Sequence, residues 1–340
     1  MSRWSAAEHD ALTGFLRRHG LVDGPVTTRP IGDGHSNLTD LVDDGTRRVV
    51  VRRPPPPPVP PGAHDVLREA ALMRGLAGTG VPVPAVLATA GPGEVVDAPL
   101  LVMSHVAGPV VTTATPDALA APRTRRELGE AVVDALVGLH AVPWRGTPLA
   151  ELGRPKGFAR RHLHRMARLV ADDDGRLPDP FAGLHAWLDA RAPADGEATV
   201  IHNDFRLGNL VLAPEPPGRV AAVLDWELAT LGDPLLDVAY LLACHPVAGE
   251  PLTPTAAMAT AVLEPGWPAR DELAARYAAA TGRDLSGLAW YTALVSWKLA
   301  VLYEYSRRRL GDGIGDPYYA DPALVRSFLD AGRAAAGLTS

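Results

Sequence analysis

The sequence predicts an α+β fold of two lobes, a small β-rich lobe over 1–106 and a larger, mainly helical lobe over 107–340. Three observations predict it. Short alternating apolar segments bounded by turn residues crowd the first hundred residues, the pattern of half-buried strands. Apolar residues three and four apart dominate the rest, the pattern of amphipathic helices. At 340 residues the chain is also long enough for two cores, since single cores stop growing well below that size. The junction falls near Ser104–Gly108, where an apolar run ends at Ala107-Gly108.

The elements follow in order. Ser5-Ala-Ala-Glu8 is a capping box, Ser5 taking the first helical amides and Glu8 reaching back, so it opens a helix ending near Gly20. Val26–Ile31, Leu38–Val42 and Arg48–Arg52 are rich in β-branched residues, and Asp44-Gly45 supplies the tight turn between the second and third. The prolines of Pro54–Pro61, interrupted only by Val59, form a stiff extended loop rather than a ligand for a proline-binding module. A helix over 64–76 carries an apolar stripe of Val66, Leu67, Ala70, Met73 and Leu76, with Glu69 to its side. Pro99–Val106 reads as a buried strand. Helices are predicted over 127–141, 157–170, 181–191, 234–244, 270–281, 288–309 and 321–336. Two short strands flank the stretch VIHNDFRLGNLVL (200–212), and another runs through Val220–Asp225.

Composition narrows the partners. A net charge of -6 with 47% apolar and 21% charged residues gives no basis for nucleic acid or an anionic membrane surface. No apolar run reaches the roughly 18 residues of a membrane span, and Met1–Glu8 lacks a secretory apolar core, so a cytoplasmic protein acting on a small molecule is expected. The oligomeric state is left open. Cys244, the sole cysteine, lies in the helical pattern Leu235–Cys244 and is expected to be buried and structural.

The chemistry sits in a few polar residues set among apolar ones. The chain has three asparagines, Asn37, Asn203 and Asn209, and two of them fall in VIHNDFRLGNLVL. There they form His202-x-Asp204-x-x-x-x-Asn209, followed sixteen residues later by Asp225 at the end of an apolar strand and then by Glu227. Upstream lie Gly32-Asp-Gly-His-Ser36 in a hairpin, Arg52 ending a strand and Glu69 on a helix. Each piece alone is commonplace: glycines mark turns, and an Arg/Glu pair is usually a solvated ion pair. Together they fit phosphoryl transfer from a nucleotide. Gly32, Gly34 and Ser36 would let backbone amides approach phosphates, Arg52 would hold phosphate oxygens, and Glu69 would hold Arg52. Asp204 would orient an acceptor hydroxyl and take its proton, with His202 beside it. Asn209 and Asp225 would bind Mg2+, a hard cation that prefers oxygen, and Glu227 is either a second metal ligand or a structural hydrogen-bond acceptor. A transition-metal hydrolase built on His202, Asp204 and Asp225 is disfavoured, because such sites gather more histidines or cysteines at ligand spacing than this chain offers.

These strings resemble the aminoglycoside phosphotransferase and choline kinase superfamily, relatives of the protein kinases. His202-Asn-Asp-Phe-Arg-Leu-Gly-Asn209 is similar to its catalytic loop and Leu224-Asp-Trp-Glu-Leu-Ala-Thr-Leu-Gly-Asp-Pro234 to its metal-binding segment. The resemblance extends through Gly34–Asn37, Val50–Pro54, Ala63–Glu69 and Arg270–Tyr277, and is nearest the branch that also occurs fused to acyl-CoA dehydrogenases. It implies a two-lobed protein-kinase-like fold that binds ATP and Mg2+. It further implies that Asp237 ties down the catalytic loop and that the backbone of Ser104–Val106 faces adenine. Two positions depart from the pattern: Arg52 stands where a lysine is usual, and the glycine hairpin, of form G-x-G-x-x-N, lacks a third glycine.

The acceptor is read from charge. Gly157–Arg168 holds four arginines, two histidines and no acid, and with Arg161 and Arg165 at the substrate it favours an anionic hydroxy compound, a hydroxy acid or hydroxyacyl-CoA, over a polycation. A solvated helix face in an arginine-rich chain is the plainer explanation of the same residues. The alternatives are an aminoglycoside or other antibiotic phosphotransferase, and a non-catalytic nucleotide-binding pseudokinase motivated by Arg52.

Overall fold

The structure, a computed structural model, describes residues 3–32, 37–56, 64–213, 218–311 and 316–338. Gly34, Ser36 and the later part of the proline run lie outside the described residues. The chain forms two compact units. Unit 1 comprises Met1–Ala107, Thr147–Leu149 and Ala221–Glu227; unit 2 comprises Gly108–Gly146, Ala150–Val220 and Leu228–Ser340.

Unit 1 begins with α1 (Ala6–Arg18), which has the full capping box: Glu8 N donates to Ser5 Oγ, and the Glu8 carboxylate accepts from Ser5 N at 2.8 Å. Then come β1 (Thr27–Pro30), β2 (Leu38–Asp43), β3 (Arg48–Arg53), α2 (Val66–Leu76), β4 (Val86–Ala90) and β5 (Leu100–Ser104). The strands make one antiparallel sheet in the order β1-β2-β3-β5-β4. Side chains alternate across a strand, so Val49 and Val51 of β3 pack with Leu12, Phe15 and Leu16 of α1 in one core. Val50 and Arg52 therefore share the opposite face, and α2 contacts β4 and β5. The same alternation turns Arg52 toward Glu69 of α2. The predicted helix over 64–76 starts later, at Val66, because Asp65 caps it by accepting Arg68 N and His64 has a positive φ of 60°. Strand β4 was not predicted; its alanines and the flanking Pro82 and Pro84 mask the β pattern.

Unit 2 is helical. Its elements are α3 (Pro122–His140), α4 (Phe158–Ala167), α5 (Asp179–Ala190), β6 (Thr199–Ile201) and β7 (Leu210–Leu212). Next comes β8 (Val220–Val223), whose residues from Ala221 onward belong to unit 1. The unit closes with β9 (Thr230–Gly232), α6 (Leu235–Ala243), α7 (Pro254–Ala257), α8 (Arg270–Thr281), α9 (Leu288–Gly311) and α10 (Pro322–Ala335). Helix α9 is apolar on nearly every side and is accordingly buried, packing against α4, α5, α6 and α10. Strands β6 and β9 pair antiparallel, with Val200 opposite Leu231. Gly108 opens the unit at φ 149°, where a Cβ would run into the Leu212 carbonyl. The small β-rich and larger helical parts match the predicted α+β class. One strand boundary differs: β8 ends at Val223, because Asp225 takes a left-handed φ of 65° and Trp226–Leu228 form a 3-10 turn. Asp225 and Glu227 therefore do not share a strand face. Among the described residues, no helix is long and apolar enough to cross a membrane.

Candidate active site

The stretch VIHNDFRLGNLVL is a loop between two strands of unit 2, held from below by one carboxylate. β6 delivers His202, a 3-10 turn over Leu207–Asn209 follows, and β7 leads away. Asp237, on α6 and wholly buried, accepts His202 N at Oδ2 and Asn203 N at Oδ1, both at 2.7 Å. Its Oδ2 also lies 3.2 Å from His140 Nε2, and His140 Nδ1 lies 2.8 Å from the Tyr277 hydroxyl. A buried carboxylate needs such donors to offset its desolvation. Asn203 bends the loop at φ 66°, a conformation asparagine tolerates better than most residues.

Asp204 follows that bend. Its Oδ2 accepts from Asn209 Nδ2 at 2.8 Å, and the same nitrogen donates to the Asp204 carbonyl at 2.9 Å. The Asn209 amide nitrogen is thus spent on Asp204, which leaves its Oδ1 as the atom able to meet a cation. Arg206 Nε lies 3.5 Å from Asp204 Oδ1. Burial and the adjacent Asp204 carboxylate, which accepts from the phenol, push Tyr240 well above the usual tyrosine range. His202 is wholly buried, and its Nδ1 accepts Asp204 N at 3.3 Å. From that buried position it braces the backbone of Asp204.

In unit 1 a second polar cluster forms around Arg52. One guanidinium nitrogen donates to Glu69 Oε1 at 2.8 Å, and the other donates to Asp225 Oδ1 at 2.8 Å and lies 3.9 Å from Glu227 Oε2. The planar fork reaches two separate carboxylates, which a lysine ammonium would do less well. Burial would lower the Arg52 pKa, but Asp225, Glu69 and Glu227 outweigh it and keep the guanidinium firmly charged. Burial also pushes Glu69 up to about 7, against the pull of Arg52. Glu227 Oε2 accepts from Asn37 Nδ2 at 2.9 Å, and its carbonyl accepts from Arg68 at 3.2 Å. The structural role for Glu227 is thus occupied here, by the asparagine that closes the G-x-G-x-x-N hairpin.

The remaining predicted residues are placed as follows. Gly32 sits at φ 77° with open space where a Cβ would be, so glycine serves the turn there. Ser104 donates its amide to Ala85 O at 2.8 Å and accepts Ala85 N on its hydroxyl at 2.9 Å, while Val106 is half-exposed beyond the strand. On α4, Phe158, Ala159, His162, Leu163 and Met166 are buried, and Arg161 and Arg165 are exposed. Arg161 donates to the Arg154 carbonyl, and Arg165 lies 3.4 Å from His162 Nδ1. Cys244 is buried, its thiol pushed up to about 12 chiefly by burial, and is inert as a nucleophile.

The family model of the phosphotransferase enzyme family matches residues 27–291. The chain belongs to the phosphotransferase enzyme family. This phosphotransferase is 32% identical to mouse acyl-CoA dehydrogenase family member 10 over 69% of its own length and 22% of the relative's. It is 29% identical to human acyl-CoA dehydrogenase family member 11, over 88% of its length and 38% of the relative's. It therefore spans well under half of these curated relatives. Among solved structures, it superposes on a putative aminoglycoside phosphotransferase from Ralstonia eutropha with a TM-score of 0.77 and 26% identity, covering 96% of this chain and 98% of that one. A thermostable mutant of the aminoglycoside phosphotransferase APH(4)-Ia, in a ternary complex with ADP and hygromycin B, shares the fold at a TM-score of 0.62 and 18% identity, covering 96% and 99%. The α+β class is thus the two-lobed, protein-kinase-like fold of these enzymes.

Several residues that shape the phosphotransferase's loop escaped the sequence reading. His140 reaches Asp237 from α3 and is itself met by Tyr277 from α8, and Tyr240 reaches Asp204 from α6. Lys298, on α9, donates to Asn203 at two oxygens. No short motif links these residues to the loop. Arg206 stood inside the quoted motif and carried the one available signal, a cation two residues after Asp204.

Proposed function

We propose that this phosphotransferase moves the γ-phosphoryl group of ATP, with Mg2+, to a hydroxyl of a small anionic molecule. The observation that carries this reading is Asp204: a carboxylate held at 2.8 Å by Asn209 Nδ2, on a loop whose two preceding amides are both pinned by Asp237. That arrangement fixes a proton acceptor in place before any substrate arrives, as positioned base catalysis requires. Asp204 Oδ1 and Oδ2 orient the acceptor hydroxyl and receive its proton. Arg206, beside Asp204, offers positive charge to transferring phosphoryl oxygens.

The donor set fits the implied ion: Asn209 Oδ1 and the Asp225 carboxylate are oxygens, suited to a small hard cation rather than to a soft one. Arg52, held by Glu69, would meet nucleotide phosphates, and Gly32 with the segment beyond it and the Ser104–Val106 backbone would complete the nucleotide contacts. Bound Mg2+ and ATP supply the transferable group and neutralise its charge.

Two features support an anionic acceptor. Arg161 and Arg165 lie exposed on α4, and the curated relatives carry names of enzymes acting on acyl-CoA, which is itself anionic. A hydroxyacyl-CoA or hydroxy acid suits both. Antibiotic phosphorylation is the second reading, favoured by APH(4)-Ia with its bound hygromycin B. The test is Mg2+-ATP turnover with 4-hydroxyacyl-CoA, a hydroxy acid, a kanamycin-type aminoglycoside and choline, in wild type, D204N, R161E and R165E. D204N should lose at least ~100-fold in rate, and each charge reversal should raise KM for the anionic acceptor. Efficient aminoglycoside turnover, or anionic turnover indifferent to both reversals, refutes the acceptor assignment. Full activity in D204N refutes the mechanism, and ATP binding without any turnover in wild type would establish the pseudokinase.

A further inference from the structure

Lys298 is one of two lysines in a chain with 31 arginines, and it is buried in the middle of α9. An ammonium placed there loses its hydration, and a Met of similar length would fill the same space without that cost. The lysine does something a Met would not: its Nζ donates to Asn203 O at 2.6 Å and to Asn203 Oδ1 at 2.7 Å. The face of the Tyr240 ring lies 4.9 Å away.

Asn203 is the residue before Asp204, and each of its polar atoms is held. Its N donates to Asp237 Oδ1 at 2.7 Å and its Nδ2 to Leu228 O at 3.1 Å; its two oxygens both go to Lys298. The carbonyl that Lys298 grips belongs to the peptide joining Asn203 to Asp204. The other end of that peptide, Asp204 N, donates to His202 Nδ1 at 3.3 Å. A peptide is planar, so fixing its oxygen and its nitrogen fixes the direction in which Asp204 leaves the backbone. The bend that requires this control is the positive φ of 66° at Asn203.

We propose that Lys298 is a positioning residue for phosphoryl transfer, holding the Asn203–Asp204 peptide so that the Asp204 carboxylate points at the acceptor hydroxyl. This rests on the reading of Asp204 as the proton acceptor. Burial lowers the Lys298 pKa to about 8, with Asp204 and Asp237 opposing the shift and Arg165 adding to it, so the ammonium form prevails at neutral pH. The Cys244 thiol and the buried imidazole of His162 are its other titratable neighbours.

The experiment follows Mg2+-ATP hydrolysis with water as acceptor, by phosphate release, in wild type, K298M, K298R, N203G, K298M/N203G and D204N. Urea unfolding confirms that each variant is folded under assay conditions. K298M should lower kcat about 10- to 100-fold while the KM for ATP stays within about 2-fold, the signature of misplacement at the reacting centre. K298R, which keeps the donors, should recover part of the loss. N203G keeps the left-handed bend but removes the side chain, and it should also lower kcat if K298M cannot be folded. Because both residues act on one peptide, the double variant should fall within about 3-fold of K298M rather than at the product of the two losses. Wild-type kcat in K298M or in N203G, or losses that simply multiply, overturns the proposal. An inactive D204N beside a fully active K298M refutes the lysine's role alone, whereas an active D204N or a wild type without turnover removes the reading it rests on.

Discussion

Replacing Arg52 by Met would expose how much of unit 1 depends on one guanidinium. The side chain is 8% exposed and joins Glu69, 1% exposed, to Asp225. Removing one partner of a buried pair typically costs ~3–5 kcal/mol, because the remaining charge is left unpaired. Glu69 has an escape, since it can take up a proton. Its folded pKa already stands at about 7 against a reference value of 4.5, and without Arg52 it rises further, because the Arg52 charge is the largest influence pulling it down. A carboxyl whose folded pKa lies above its unfolded value binds more protons when folded, so its contribution to stability is fully present below 4.5 and is lost as pH rises through the folded pKa. In wild type that loss is largely over near pH 7. In R52M it continues to higher pH, at up to ~1.4 kcal/mol per pH unit. The expected result is a destabilisation of about 1–2 kcal/mol at pH 6 that widens to about 3–5 kcal/mol by pH 8.5. Urea unfolding of both proteins across that range measures it. A difference that is constant with pH, or below about 1 kcal/mol throughout, would show that Glu69 does not depend on Arg52 for its charge.

Three further outcomes are expected. N209A and D225A should each shift the Mg2+ dependence of ATP turnover to higher concentration, because each removes one oxygen from a small ion that tolerates few substitutes; unchanged half-saturation in both would contradict the metal assignment. R52A should raise KM for ATP, with R52K restoring part of it, and unaltered ATP kinetics in R52A would assign the phosphates to another group. D237N should destabilise unit 2 by about 2–4 kcal/mol, measured by urea unfolding, because its amide NH2 must face a backbone N–H that now lacks an acceptor.

The sequence made the local signals readable: the capping box at Ser5, the stripe of α2, and the seven long helices of unit 2 all depend on neighbours a few residues apart. The H-x-D-x-x-x-x-N loop was legible for the same reason, since a 3-10 turn brings Asn209 back to Asp204 across five residues. Strands β4 and β9 were not legible. The first is written in alanine and proline and the second is three residues long, so what makes each a strand is its partner. The geometry at Asp225 failed for a different reason. Extending β8 through it assumed an extended backbone, and a left-handed φ at a non-glycine residue leaves no mark on a period-two pattern.

What the sequence hides most completely is the support beneath the loop. Asp237 was placed by resemblance, but His140, Tyr277 and Lys298 come from 97, 40 and 61 residues away along the chain and converge only because α3 packs on α8 while α8 and α9 both pack on α6. Each looks ordinary in its own helix: a histidine near a C-terminus, a tyrosine on an apolar stripe, a lysine among tryptophans. Their common feature is physical. Each is a polar group inside a helical core, and such a group persists there only with a partner. In Lys298 the cost is greatest, because the group is charged and burial has already drawn its pKa down to about 8. A base whose folded pKa lies below its unfolded value of 10.5 weakens the fold below pH 8, and that penalty fades as pH rises toward 10.5. The chain accepts this burden at neutral pH, where the ammonium is needed to hold the Asn203 oxygens. An element that lowers stability at the working pH, and whose ammonium donates to both oxygens of the residue before Asp204, is better explained by the aim of that carboxylate than by the stability of the helix that carries it.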